Sequence, residues 1–214
     1  VTYSSSFIIA TFQSPEMLGL YAIALKIIIP ASLAIDALSN AFTPIYYRMR
    51  ESGESKKEIV NDLSILLFRI SSIAILFVLI GGPHLVEIVF NENYSNAKVA
   101  IPALSISLFF TALYRIQVSE IFYQKRTRLV PIITIITGIF NLLISIPLVN
   151  EFGLLGASLS VLISSCVQLV LTIILSLRFS IFTIKPEIYI FVILVGTFSF
   201  LDLIKTTFVV DISL

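Results

Sequence analysis

Residues 131–150, PIITIITGIFNLLISIPLVN, and residues 154–177, LLGASLSVLISSCVQLVLTIILSL, form two long apolar runs around the short turn Asn150–Gly153. An α-helix needs about 20 residues to cross a hydrocarbon core of about 30 Å. Each run reaches that length, and the turn is too short to separate the two runs widely. We therefore predict a pair of neighbouring antiparallel transmembrane helices.

The composition extends this prediction to the rest of the chain. Of the 214 residues, 57% are hydrophobic and 13% are charged, and the mean hydropathy is +1.03. Soluble domains carry roughly 25% charged residues. The apolar residues occur in long blocks, which suit a bilayer better than a soluble core. We predict an all-α polytopic transmembrane helix bundle of about seven spans.

Six of these spans are predicted to form one bundle over residues 1–177, and a further transmembrane segment is predicted within residues 178–214. The bundle spans are about 1–12, 18–46, 60–80, 97–123, 131–149 and 154–177. Gly81–His84 is expected to end the third span, because glycine and proline weaken a helix. The chain does not begin with Met and its first apolar run is short. We therefore expect a fragment that lacks its N-terminal part.

Lysine and arginine orient the spans, because short cytoplasmic loops carry an excess of both. Nine basic residues fall on one predicted side, and two on the other. The first set is Arg48, Arg50, Lys56, Lys57, Lys125, Arg126, Arg128, Arg178 and Lys185, and the second is Lys98 and Lys205. We predict that the loops 48–58, 124–130 and 178–187 are cytoplasmic.

Four short motifs, in order along the chain, resemble those of one family of membrane proteins. They lie at the start of the second span, in the loop before the fourth span and on both sides of the hairpin turn. The segments are Leu18–Tyr21 with Ala22 and Ala24, Phe90–Ala97, Asn141–Leu143 with Ile146–Leu148, and Phe152–Gly153 with Gly156–Ser158. Together they resemble polysaccharide-lipid flippases of the O-antigen and teichuronic-acid type, which are relatives of the MATE exporters.

The resemblance implies the C-terminal half of a MATE-like exporter fold in the cytoplasmic membrane. Members of the family move polyprenyl-pyrophosphate-linked oligosaccharides across that membrane in polysaccharide biosynthesis, including that of lipopolysaccharide. The implied partners are the lipid-linked substrate, membrane lipid and polysaccharide polymerase or ligase proteins. Translocation breaks no bond, so we expect neither an enzyme nor a cofactor. The scattered basic residues exclude a nucleic-acid surface.

The second span carries polar residues at membrane depth. Six of its residues lie within about 40° of one line down the helix, at 100° per residue: Lys26, Pro30, Leu33, Ala37, Asn40 and Pro44. Each proline leaves a carbonyl unbonded beside a polar side chain, which favours a wet cavity over lipid. The alternative for Lys26 is a structural pair with Asp36. Their ten-residue separation, about 15 Å of helix rise, opposes direct contact.

Three further polar residues are candidates for the same cavity: Arg69, Arg115 and Asn141. Arg69 and Arg115 could instead extend their charges to the lipid headgroups. Asn141 could line a substrate path or join helices, and the small residues of the sixth span favour close packing. Lys26 and the two arginines outnumber the deep carboxylate of Asp36, so such a cavity would suit an anionic passenger.

No motif of an enzyme site is present, and the single cysteine, Cys166, excludes a cysteine-built metal site. Two alternative functions remain at this point. A MATE-type cation-coupled exporter would need a coupling carboxylate, for which Asp36 is the candidate. A non-transporting membrane subunit of a polysaccharide assembly complex would tolerate neutral substitutions of its membrane-depth charges.

Overall fold

The computed structural model describes residues 2–51, 57–90 and 92–177, and these ranges contain helices and no strand. The elements are α1 (Thr2–Phe12), α2 (Pro15–Glu51), α3 (Lys57–Val89), a 3₁₀ helix (Glu92–Ala100), α4 (Ile101–Tyr123) and α5 (Leu129–Leu177). The predicted all-α fold class is confirmed. The transmembrane segment predicted within 178–214 lies outside the described residues.

The last helix, α5, is the predicted hairpin. Its 49 residues would extend about 74 Å if straight, far more than a bilayer core requires. Gly153 interrupts it with φ 54° and ψ −124°, a conformation that favours glycine. We call the parts before and after Gly153 the first and second arms of α5. Their contacts show that they fold back on each other: Asn141 of the first arm donates to the Ser160 carbonyl of the second at 3.1 Å.

Gly156 allows the two arms to meet immediately after the turn. A Cβ atom added there would lie 1.8 Å from the carbonyl oxygen of Leu148 and 3.0 Å from the backbone nitrogen of Val149. Both are backbone atoms, which cannot move aside as the end of a flexible side chain can. Only glycine therefore fits this position without displacing the backbone.

The third helix does not end at Gly81–His84, where the sequence analysis placed its end. It continues through Gly82 and Pro83 to Val89. Packing explains the difference, since a Cβ at Gly82 would come within 3.0 Å of Ile101 and 3.3 Å of Ile27. The glycine thus admits close neighbours from two other elements, and this tertiary contact outweighs its low helix propensity.

Ser14 and Pro15 define the start of α2. The backbone nitrogen of Met17 donates to the Ser14 hydroxyl at 3.3 Å, as expected of a helix N-cap. Pro15 occupies the first helical position, where its missing N–H costs nothing. The helix then continues through Pro30 and Pro44 without ending at either.

Aromatic contacts bring the C-terminal ends of α2 and α4 together. The ring of Tyr123 lies 6.4 Å from that of Tyr46 and 6.0 Å from that of Tyr47, between centroids. Arg48 at the end of α2 and the basic turn 125–128 after α4 therefore share one end of the bundle. By the excess of lysine and arginine this is the predicted cytoplasmic end, and the turn at Gly153 lies at the other.

The outer surface of the bundle is apolar. Four described helical stretches are long and apolar enough to cross a membrane: Pro15–Arg48, Ile65–Val89, Tyr94–Tyr123 and Leu129–Leu175. In the third of these, which contains α4, 67% of the most apolar window is buried, so α4 is central. Large apolar side chains point outwards elsewhere, such as Ile73, Phe77 and Leu143, each about 70% exposed. Such a surface suits lipid, and the chain is a multi-pass membrane protein.

The close approach at Gly156 gives a testable prediction. Gly156→Leu, and to a smaller extent Gly156→Ala, should lower the amount of folded protein in the membrane, since overpacking typically costs about 1–3 kcal/mol. Gly138 supplies the control, because a Cβ there meets nothing within 4 Å. Fluorescence-detected size-exclusion chromatography would measure the folded fraction. Equal folded fractions for the Gly156→Leu and Gly138→Leu variants would show that the arms do not pack as described.

Candidate functional site

A cleft of about 480 Å³ opens between the C-terminal halves of α2 and α4, with one residue from the start of α5. It lies beside the tyrosine cluster and therefore towards the predicted cytoplasmic end. The lining residues are Ser39, Asn40, Thr43, Pro44 and Tyr47 from α2, Tyr114, Arg115, Val118, Ser119 and Phe122 from α4, and Val130 from α5.

An ion pair joins the two helices at the edge of this cleft. Nη2 of Arg115 on α4 lies 2.6 Å from Oδ1 of Asp36 on α2. The two side chains are 38% and 35% exposed, so the pair is accessible from one side. The Nε–H of Arg115 is buried and has no hydrogen-bond acceptor within the described chain. A guanidinium has five donors, and this one has neither a partner within the described chain nor contact with solvent.

The remaining lining offers hydrogen-bonding groups and aromatic rings. The hydroxyls of Ser39, Thr43 and Ser119 each donate to a carbonyl one turn back in their own helix, which leaves their oxygens able to accept. The Asn40 side chain is exposed and makes no hydrogen bond within the described part of the chain. Its amide can both donate and accept.

The line of residues predicted on α2 is open along its whole length. All six are exposed: Lys26, Pro30, Leu33, Ala37, Asn40 and Pro44. The last two also line the cleft, so the line runs into it. Lys26 makes no ion pair within the described residues, and it lies about 21 Å along the helix axis from Asn40. We call this set the polar line of α2.

The other two predicted site residues lie away from the cleft. Arg69 is exposed on α3 and is not among the lining residues. Asn141 is fully buried between the arms of α5, where its amide nitrogen donates to the Ser160 carbonyl and, at 3.0 Å, to the Ser164 hydroxyl. This geometry corresponds to the helix-joining alternative for Asn141.

A network of hydroxyls surrounds Ser160 at the same interface. Ser145 of the first arm donates to the Ser160 hydroxyl at 2.9 Å, and Ser5 of α1 lies 3.3 Å from it. Ser160 in turn donates to the carbonyl of Ala157. These buried side chains belong to three helical segments, so the network connects α1 with both arms of α5.

Sequence reasoning missed two features of the cleft. It considered Asp36 as a coupling carboxylate or as an ion-pair partner of Lys26 in the same helix, whereas its ion-pair partner is Arg115 in another helix. The two residues lie at similar depths, since Asp36 precedes Tyr46 by ten residues and Arg115 precedes Tyr123 by eight, but only the structure shows that α2 and α4 are neighbours. The contributions of Tyr47 and Tyr114 were also missed. A tyrosine near a helix end, such as Tyr47, is typical of the membrane interface, and Tyr114 lies in the middle of an apolar span, where the sequence does not show which way it faces.

A helical bundle with apolar outer faces, an open polar line and a cleft at one end is typical of a membrane transporter. The comparisons agree with that class. Over 161 residues the chain is 26% identical to a protein of Shigella flexneri named "Putative O-antigen transporter". The match covers 75% of this chain, but only 38% of the length of that relative. No family model and no solved structure matches the chain.

The ion pair gives a second prediction. Asp36→Ala and Arg115→Ala should each lower the thermal unfolding temperature, and the double variant should lose less than the sum of the two. Because both side chains are more than a third exposed, we expect a coupling free energy between them of about 1 kcal/mol or less, which is smaller than that of a fully buried pair. Thermal unfolding of the purified variants in one detergent would measure it. Strict additivity of the two losses would mean that the side chains do not interact.

Proposed function

We propose that the chain is part of a flippase that moves a polyprenyl-pyrophosphate-linked oligosaccharide across the cytoplasmic membrane in polysaccharide biosynthesis. On this proposal the chain contributes the C-terminal half of a MATE-related exporter. It acts on the lipid-linked glycan together with membrane lipid and with polysaccharide polymerase or ligase proteins. The similarity to the named O-antigen transporter supports the substrate class.

The observation that carries the proposal is the polar line of α2. A lysine at the centre of a membrane helix costs roughly 2.5–3.5 kcal/mol on insertion scales. Lys26 is exposed and lacks a carboxylate partner within the described chain. Asn40 adds an amide to the same line. Pro30 and Pro44 each leave a backbone carbonyl unbonded there. This arrangement is costly against lipid and tolerable against water, which supports a wet translocation path along α2.

Charge assigns roles to the residues along this path. Asp36 compensates Arg115, so Lys26 is the cation of the polar line that remains available to a pyrophosphate. Arg69 would add a second cation from α3. Asn40 would bind the polar passenger, and Asn141 would hold the helical hairpin that supports the path.

The same ion pair argues against the MATE-type alternative. A carboxylate that couples transport to H⁺ or Na⁺ must be able to exchange its cation, whereas Asp36 lies 2.6 Å from a guanidinium. The alternative of a non-transporting subunit gives no reason for a costly lysine at this depth. Lipid-linked glycan transport accounts for both features.

Lys26 provides the test of the proposed function. Lys26→Ala and Lys26→Gln in the full-length gene should abolish complementation of surface polysaccharide in a strain that lacks the flippase, while the protein accumulates normally. Lys26→Arg should restore part of the activity, because the charge persists although its geometry differs. Surface polysaccharide would be measured together with protein abundance in the membrane.

Arg128→Gln is the matched control for loss of one positive charge, since Arg128 is exposed in the turn between α4 and α5. It should complement fully. Full complementation by Lys26→Ala at normal abundance would remove Lys26 from the mechanism. Loss of abundance in all three Lys26 variants would mean that the lysine is a structural residue.

A further inference from the structure

We propose that the cleft between α2 and α4 is a carbohydrate subsite that takes an uncharged sugar ring, and that the anionic part of the passenger binds elsewhere on the path. The inference rests on the proposed function for the source of the sugar. It divides the passenger between two places: the glycan at the cleft and the pyrophosphate at Lys26, about 21 Å away along α2.

Charge balance in the cleft favours an uncharged ligand. Of the residues that line it in the described chain, Arg115 carries the one charge, and Asp36 neutralises it across 2.6 Å. A phosphate placed against Arg115 would also stand near the Asp36 carboxylate, and like charges at that distance repel. A sugar hydroxyl meets no such penalty, because it can accept from the guanidinium and donate to the carboxylate.

The chemistry of the lining matches the two kinds of surface on a pyranose ring. The ring has apolar C–H faces, which aromatic side chains can cover, and a rim of hydroxyls that both donate and accept. Tyr47, Tyr114 and Phe122 supply rings, and Tyr47 is held in place by contacts with its neighbours Tyr46 and Tyr123. Asn40 supplies an amide that has no hydrogen bond within the described chain.

Arg115 has a further donor without a partner in the described part of the chain, beside the cleft. Its Nε–H is buried and has no acceptor within the described residues, and an unmade hydrogen bond of this kind is destabilising. The atom is closed to a water-sized probe, so the Arg115 side chain must shift slightly before a hydroxyl oxygen in the cleft can accept from it. Asp36 is then a positioning residue that holds the guanidinium. The volume of about 480 Å³ lies within the range of roughly 300–1,000 Å³ for small-molecule pockets.

Protection of a thiol from alkylation tests the subsite. Val130 lines the cleft, and Thr127 is exposed three residues earlier in the turn, outside it. Val130→Cys and Thr127→Cys would be introduced separately into the full-length protein with its native cysteines replaced by serine. The rate of reaction with N-ethylmaleimide in detergent would be measured with methyl glycosides of glucose, galactose and N-acetylglucosamine, and with sodium pyrophosphate at matched ionic strength.

We expect at least one glycoside to slow alkylation at position 130 several-fold, with no change at position 127 and no effect of pyrophosphate. Protection by pyrophosphate and by no glycoside would overturn the proposal in favour of an anion site. No protection by any probe, or equal protection at both positions, would also overturn it.

Further variants assign the protection to the named side chains. Asn40→Ala removes an exposed amide that makes no hydrogen bond within the described chain, so it should abolish protection without loss of folded protein. Arg115→Gln should abolish it, and Asp36→Asn should weaken it. Protection that survives both Asn40→Ala and Arg115→Gln would contradict the proposed subsite.

This experiment is separable from the test of the proposed function. If a glycoside protects position 130 but the Lys26→Ala variant complements fully, the sugar subsite stands and Lys26 does not bind the pyrophosphate. If no glycoside protects position 130 but complementation depends on Lys26, the proposed flippase function stands and the sugar subsite is refuted.

Discussion

A polar group inside a bilayer must find a partner within the protein or face water, and this constraint explains how the polar residues are distributed here. The amide of Asn141 meets it by donating to the Ser160 carbonyl and the Ser164 hydroxyl. Many hydroxyls meet it by donating to a carbonyl one turn back in their own helix, as Ser72 and Thr137 do. These satisfied groups allow an otherwise apolar bundle to pack in lipid.

The polar line of α2 is an exception on the exposed surface of the bundle. Lys26 and Asn40 are exposed at membrane depth and make no hydrogen bond within the described chain, although the ion pair of Asp36 and Arg115 lies close by. Two prolines in the same helix leave carbonyls unbonded on this side as well. The hydroxyl of Ser71 on α3 also lacks a hydrogen-bond partner within the described residues, but it is buried. Because the exposed polar groups of α2, Lys26 and Asn40, share one face with the two unbonded carbonyls, we infer that this face meets water. The proposed translocation path and the sugar subsite both depend on that inference.

The sequence was sufficient for features that depend on local chemistry. The apolar runs and the turn at Asn150–Gly153 predicted the hairpin of α5, and the spacing of small residues indicated its close packing. It was insufficient where neighbouring helices decide. The end of α3 was placed too early, because the contact of Gly82 with Ile27 and Ile101 could not be foreseen. The Asp36–Arg115 pair was missed because side-by-side placement of α2 and α4 is a tertiary property.

Water accessibility along α2 tests the central claim most directly. Leu33→Cys lies on the polar line, and Phe77→Cys lies on the apolar outer face of α3; the native side chains are 62% and 72% exposed in the bundle. Each would be placed in a cysteine-free full-length protein in membrane vesicles and treated with a charged methanethiosulfonate, which requires a thiolate in contact with water. The account predicts rapid modification at position 33 and little at position 77. Equally slow modification at both positions would show that α2 faces lipid and would contradict a wet path along it.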